Sequence, residues 1–218
     1  MNKLISLIGI IITCFVTGYF ISTNIIQIII GLVPSQVQLV ALNPSDGFLV
    51  LFWGIIVGII PPLIFLMSVW LWKNYNEILY DKEKSFLTKM IPTSIILFLS
   101  GLVFGIYLYL IIILPYFIEI NTSLGLTNIW SLSNVIISSI TIGLSLGLSF
   151  QLPIFLRFAI KLGLIKTSFL KKQRFIIIAG ILIVSAFITP PDVVSQVMVG
   201  LPLYLLFELS MIGVNINE

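Results

Sequence analysis

Histidine is absent from this 218-residue chain, and cysteine occurs once, at Cys14. Without histidine the usual ligand for haem and for zinc is missing, and so is the usual proton shuttle near neutral pH. One cysteine inside an apolar run excludes an intrachain disulfide and a thiolate metal cluster. Charge is scarce too: Asp, Glu, Lys and Arg make up 9% of the residues, well below the roughly 25% of a soluble globular domain. No nucleophile with a base, no metal constellation and no phosphate loop can be assembled, so neither an enzyme nor a cofactor is expected, and no nucleic-acid partner. Alanine is also rare, with 4 residues against 42 isoleucines. Packing demands no such skew, because Ala and Gly suit transmembrane helix interfaces. Isoleucine codons are AT-rich and alanine codons GC-rich, so the bias points to an organellar or AT-rich bacterial gene. The mitochondrial inner membrane is the first expectation for its location, then a thylakoid or bacterial inner membrane.

What fills the chain is apolar: 59% of residues are hydrophobic, a composition whose natural solvent is lipid. At about 20 to 25 residues per crossing there is room for roughly six or seven spans and no sizeable soluble domain. The hydropathy pattern predicts an all-α polytopic membrane protein, a single transmembrane domain over 1–218 with six spans at approximately 4–33, 48–72, 92–117, 132–160, 175–189 and 193–212. The first run has no small-residue cleavage site near its end and reads as a retained anchor. Pro61-Pro62 should kink the second span, and Pro153 should interrupt the fourth. Residues 34–46 and 118–131 read as loops, the former lying along the interface. The fifth and sixth spans are short. The fifth has 15 residues and covers roughly 22 Å against a ~30 Å hydrocarbon core, so it must thin the bilayer or hide its ends.

Six spans place both termini and the loops 73–89 and 161–174 on one side. All 11 basic residues fall there, from Lys3 through the two loops, with Arg157 able to snorkel from the end of span four. The opposite loops carry only Asp46, Glu119 and Asp192. By the positive-inside rule both termini face the cytoplasm, matrix or stroma.

Polar groups within spans are costly in lipid unless paired, and are often functional. Gln151 precedes Pro153 and could satisfy the carbonyl that the proline leaves without a donor, or offer an intramembrane contact. Glu208, near the inner end of span six, could pair with a basic residue of the inner loops or serve a partner. Gly143, Ser145 and Gly147 make a face of small residues that permits close helix approach.

Taken together, the motifs resemble the TatC family, the multispanning receptor subunit of the twin-arginine protein translocase. The most specific is Thr189-Pro190-Pro191-Asp192-Val193-Val194-Ser195-Gln196, followed by Leu201-Pro202 and Phe207-Glu208. Gly147-Leu148-Ser149-Phe150-Gln151-Leu152-Pro153 is similar to the family's intramembrane Phe-Glu-x-Pro element, Leu170-Lys171-Lys172-Gln173-Arg174 to its basic loop, and Leu79-Tyr80-Asp81-Lys82-Glu83-Lys84 to its acid-bearing loop. Two departures stand out. Only Met1-Asn2-Lys3 precede the first span, where the family usually has a Leu-x-Glu-Leu-Arg type segment, and Gln151 stands where it ordinarily has glutamate.

The resemblance implies a receptor that binds the twin-arginine signal peptides of folded cargo proteins. It also implies that the receptor nucleates a transport complex, driven by the protonmotive force, with small single-span subunits of the TatA and TatB type and with further copies of itself. Glu83 would take the arginine pair, helped by Glu77 and Asp81. Gln151 and Glu208 would be the intramembrane contacts, and Pro190, Pro191, Asp192 and Gln196 the outer turn. The residues alone leave two other readings open: a small secondary transporter with Gln151 and Glu208 at a midplane site, or a structural assembly factor of a respiratory complex.

Overall fold

The computed structural model describes residues 2–75, 81–161, 167–189 and 192–211. Helix α1 (Asn2–Leu32) packs along α2 (Asp46–Tyr75), with backbones drawn together where Gly18 meets Gly58. Pro61 and Pro62 lie inside α2, so the carbonyls of Val57 and Gly58 lack their helical donors. Helix α3 (Asp81–Leu108) runs through a π-helical turn (Tyr109–Ile113) into α4 (Leu114–Ser123). The wider turn closes when the Leu114 N–H donates to the Tyr109 carbonyl, just before Pro115, which has no N–H to give. Then come α5 (Leu132–Ser149), α6 (Leu152–Lys161), α7 (Thr167–Lys172), α8 (Arg174–Ile188) and α9 (Val193–Met211).

Five helical stretches are long and apolar enough to cross a membrane: Ile5–Leu32, Asp46–Met67, Met90–Ser123, Leu132–Leu156 and Val193–Met211. The shorter apolar helix α8 adds 15 residues. Phe175 and Phe187 at its two ends are 83% and 87% exposed, surface that only lipid or another chain can cover favourably.

Three expectations need correction. The chain is not purely helical: β1 (Gln38–Val40) pairs in parallel with β2 (Ile129–Ser131), aligning Leu39 with Trp130 and tying two loops into one cap. Three-residue strands are too short to leave a periodicity. Residues 118–123, read as loop, continue the third long helix, because nothing breaks it before Gly125, which turns the chain at φ +71°. The second span begins at Asp46 and its helix runs to Tyr75, beyond the expected 48–72. The interruption expected of Pro153 is present: the fourth span is two helices parted at Phe150-Gln151, where the proline denies the Ser149 carbonyl its donor.

Helix α5 sits at the centre. Its Ile136, Ile140, Ile142 and Leu146 are fully buried against Phe98, Leu110, Ile113, Val199 and Leu203. It meets α3 across a glycine seam. A Cβ added to Gly105 would stand 2.7 Å from the Gly143 Cα, and one on Gly101 2.9 Å from the Gly147 Cα. That is the close approach expected of Gly143 and Gly147. A second, smaller apolar cluster forms below the break, with Leu170, Phe207 and Met211 buried among Leu156, Ile160 and Ile177.

Candidate functional site

The break in the fourth span positions Gln151. Its amide does not serve the carbonyl freed by Pro153, as the sequence suggested, but crosses to α3. The Ser94 hydroxyl donates to Oε1 at 2.5 Å, and Nε2 donates to the Ser94 carbonyl at 3.1 Å. The reason is geometric. Gln151 lies between the helices, where its own N–H bonds Leu148 and its carbonyl accepts from Phe155, so the side chain is free to point across the interface. Both ends of the amide are thereby satisfied within the chain.

Glu208 on α9 is held twice. Arg174 Nη2, from the first residue of α8, reaches Oε2 at 3.1 Å, and the Tyr204 hydroxyl donates to Oε1 at 2.8 Å. The pair is partly exposed, with side-chain accessibilities of 47% for Arg174 and 26% for Glu208.

At the opposite end of α8 and α9, Asp192 caps α9. Its Oδ1 accepts from the Ser195 N–H at 2.8 Å, and its Oδ2 from the Ser195 hydroxyl. Gln196 reaches back to α8, its Nε2 donating to the Leu182 carbonyl at 2.8 Å. Buried Thr189 closes α8 by directing both its N–H and its hydroxyl to the Ser185 carbonyl, at 3.0 and 2.9 Å. Pro190 and Pro191 lie outside the described residues, as does Glu77. Asp81 and Glu83 are the first and third residues of α3. At a helix N-terminus acidic residues are favoured by the dipole.

The residue that sequence reasoning undervalued is Asp46. Counted only as a loop charge, it is 1% exposed and ties the cap together. Oδ2 accepts from the N–H groups of Leu42 and Asn43 and from Ser131, and Oδ1 accepts from Ser133. An acid in the first turn of an apolar helical run is a recognisable start signal. Its serine partners, over eighty positions later, are not. Among the described residues no group of His, Cys, Asp and Glu could hold a metal ion. What these groups do is hold helices in register and offer hydrogen bonds.

Residues 1–202 match the family model of the Sec-independent protein translocase protein TatC. The chain belongs to the TatC family. Among curated TatC relatives, TatCy of Bacillus subtilis (strain 168) is 31% identical over 202 residues, spanning 91% of this chain and 78% of that protein. TatC of Helicobacter pylori (strain J99) is 30% identical over 214 residues, spanning 97% of this chain and 84% of its own. A crystal structure of the twin-arginine translocase receptor TatC superposes with a TM-score of 0.73 at 26% identity, covering 96% of this chain and 93% of the other. This TatC-family chain is an integral membrane protein and a component of the Sec-independent protein translocase.

Proposed function

We propose that this chain is the receptor and core component of the twin-arginine translocase, binding the signal peptides of folded cargo and nucleating assembly with small single-span subunits of the TatA and TatB type and with copies of itself. The likeness to the translocase receptor over 96% of the chain carries the reading. It is a recognition function, with the protonmotive force as its energy source.

In this reading the chain crosses the membrane six times, with α8 as the short fifth span and both termini on the side of the basic loops. The cap of β1, β2 and Asp46 then lies outside. Glu83, with Glu77 and Asp81, receives the arginine pair on the inner side. A guanidinium pair seeks carboxylates in fork geometry, and charge-assisted bonds of this kind are about twice as strong as neutral ones. Pro190, Pro191, Asp192 and Gln196 face partner helices at the outer turn. Gln151 and Glu208 act as internal braces before they act as contacts, because Ser94 and Arg174 already engage them. The mitochondrial inner membrane is the compartment that the composition favours.

The experiment is site-specific crosslinking of a twin-arginine signal peptide to positions 77–84 of the membrane-embedded chain. The adduct should form with the arginine pair and vanish when the pair becomes lysine. Glu83→Gln should weaken it about tenfold, the loss of a charge-assisted hydrogen-bond pair. An adduct indifferent to both changes would remove the proposed recognition site.

A further inference from the structure

The outward face of α1 is built the wrong way round for lipid. Toward α2 the helix turns Cys14, Gly18, Ser22, Ile26 and Ile29, all buried. On the opposite side Thr13, Thr17, Phe20, Asn24, Gln27 and Gly31 follow one another at steps of four, three, four, three and four residues, and all but the half-buried Thr17 are exposed. That alternation is the heptad step, which keeps a stripe on one side of a helix that coils around a partner. The stripe is polar where a lone helix would be apolar. Transmembrane helices turn such side chains inward, because lipid offers them no hydrogen bond.

The packing of α1 on α2 gives the depth of these groups. Ser22 and Ile26 meet α2 at Gly54, eight residues inside that helix, so Asn24 stands about 12 Å below its cap end, among hydrocarbon. Gln27 lies about one turn nearer the cap. The threonine hydroxyls bond their own helix, Thr13 donating to the Gly9 carbonyl and Thr17 to the Thr13 carbonyl, each at 2.8 Å. The amides keep unused capacity. Asn24 Nδ2 donates to the Phe20 carbonyl at 3.2 Å, while its Oδ1 and both ends of the Gln27 amide have no partner among the described residues.

We infer that this stripe is the interface at which two copies of the chain pair, α1 against α1, as parallel helices about a twofold axis along the membrane normal. Three features select a second copy over another helix. Both copies insert in the same orientation, so their heptads run the same way and stay in register along the whole stripe. An amide is donor and acceptor at once, so Asn24 answers Asn24 across the axis, and Gln27 answers Gln27. Residues Leu4 to Leu32 contain no Asp, Glu, Lys or Arg, so two copies meet without repulsion, whereas a charged partner helix finds no counter-charge here. One Asn among apolar heptad positions is also a known means of fixing the register of paired helices. The pairing gives a place to the self-association included in the proposed function, and it rests on that reading in this respect alone.

The test is disulfide crosslinking of the purified full chain in liposomes, with no signal peptide and no other subunit, so that it is read apart from the adduct at 77–84. In a Cys14→Ser background, single cysteines at 13, 17, 20, 24 and 27 should link into dimers. Cysteines in place of Phe15 and Ile28, well exposed but off the stripe, should not. Asn24→Leu and Gln27→Leu, followed by energy transfer between labelled copies as the liposomes are diluted with lipid, should each weaken pairing about tenfold while leaving the circular dichroism of the chain unchanged. For a face that only met lipid, leucine would change nothing or improve it. Links that are absent or ignore the stripe, pairing unaltered in both leucine variants, or links that form only once a small single-span subunit is added would each overturn the assignment.

Discussion

A neutral amide held at both ends behaves differently from a free one. Gln151 and Ser94 exchange two hydrogen bonds, one from the Ser94 hydroxyl and one to its backbone carbonyl, so losing the Gln151 amide strands both Ser94 groups, whereas losing the Ser94 hydroxyl strands only Oε1. Ser94→Ala and Gln151→Met should each destabilise the chain by about 1–2 kcal/mol, and the double variant by clearly less than the sum, read as thermal midpoints in a double-mutant cycle. Full additivity would mean that the pair is not coupled. Gln151→Glu sets a second acceptor against the Ser94 carbonyl and should cost more than its conservative look suggests. Asp46 makes a second residue-scale case. Asp46→Ala frees two backbone donors and two serines in the cap and should lower the thermal midpoint by several degrees, whereas Ser133→Ala, which removes one donor of four, should do much less.

At the scale of elements, α8 is the outlier. Its 15 residues rise about 22 Å, and its neighbour α9 has 19. In the proposed six-span reading such a mismatch would be relieved by local thinning of the bilayer, which would lower the cost of moving a polar folded domain across it. Inserting four or five leucines into α8 should leave membrane insertion intact and impair transport; unchanged transport would sink the thinning idea. Long helices were legible because apolar runs of twenty or more residues have no other reading, and α8 was legible to within a residue at each end. Residues 118–123 were not, because Glu119, Asn121 and Thr122 look like loop once hydropathy is the guide, although backbone geometry stops only at Gly125. The strands were hidden by their shortness. Local contacts leave a trace in the sequence, as where Asp192 stands three residues before its partner Ser195. The site was hidden where it depends on a distant partner, as with Ser94 for Gln151 and Ser131 and Ser133 for Asp46.

The described residues form two apolar clusters on either side of the Phe150-Gln151 break, and Ile181 of α8 packs against both. The larger gathers α1, α2, α3, α5 and the upper part of α9; the smaller gathers α6, α7 and the lower part of α9. Topology can be checked at this scale. Cysteines placed at 36 and 126, in a Cys14→Ser background, should react with an impermeant thiol reagent from outside, and cysteines at 79 and 164 only after permeabilisation. A reversed pattern would invert the orientation drawn from the 11 basic residues.

The glycine seam between α3 and α5 also limits how this sequence can drift. At Gly105 even a methyl group has no space, and no smaller residue exists to trade for glycine. Elsewhere in the bundle an isoleucine can exchange with a leucine or valine for little loss. Along the seam that freedom is gone, and a change at Gly101 or Gly105 must be answered by movement of an entire helix.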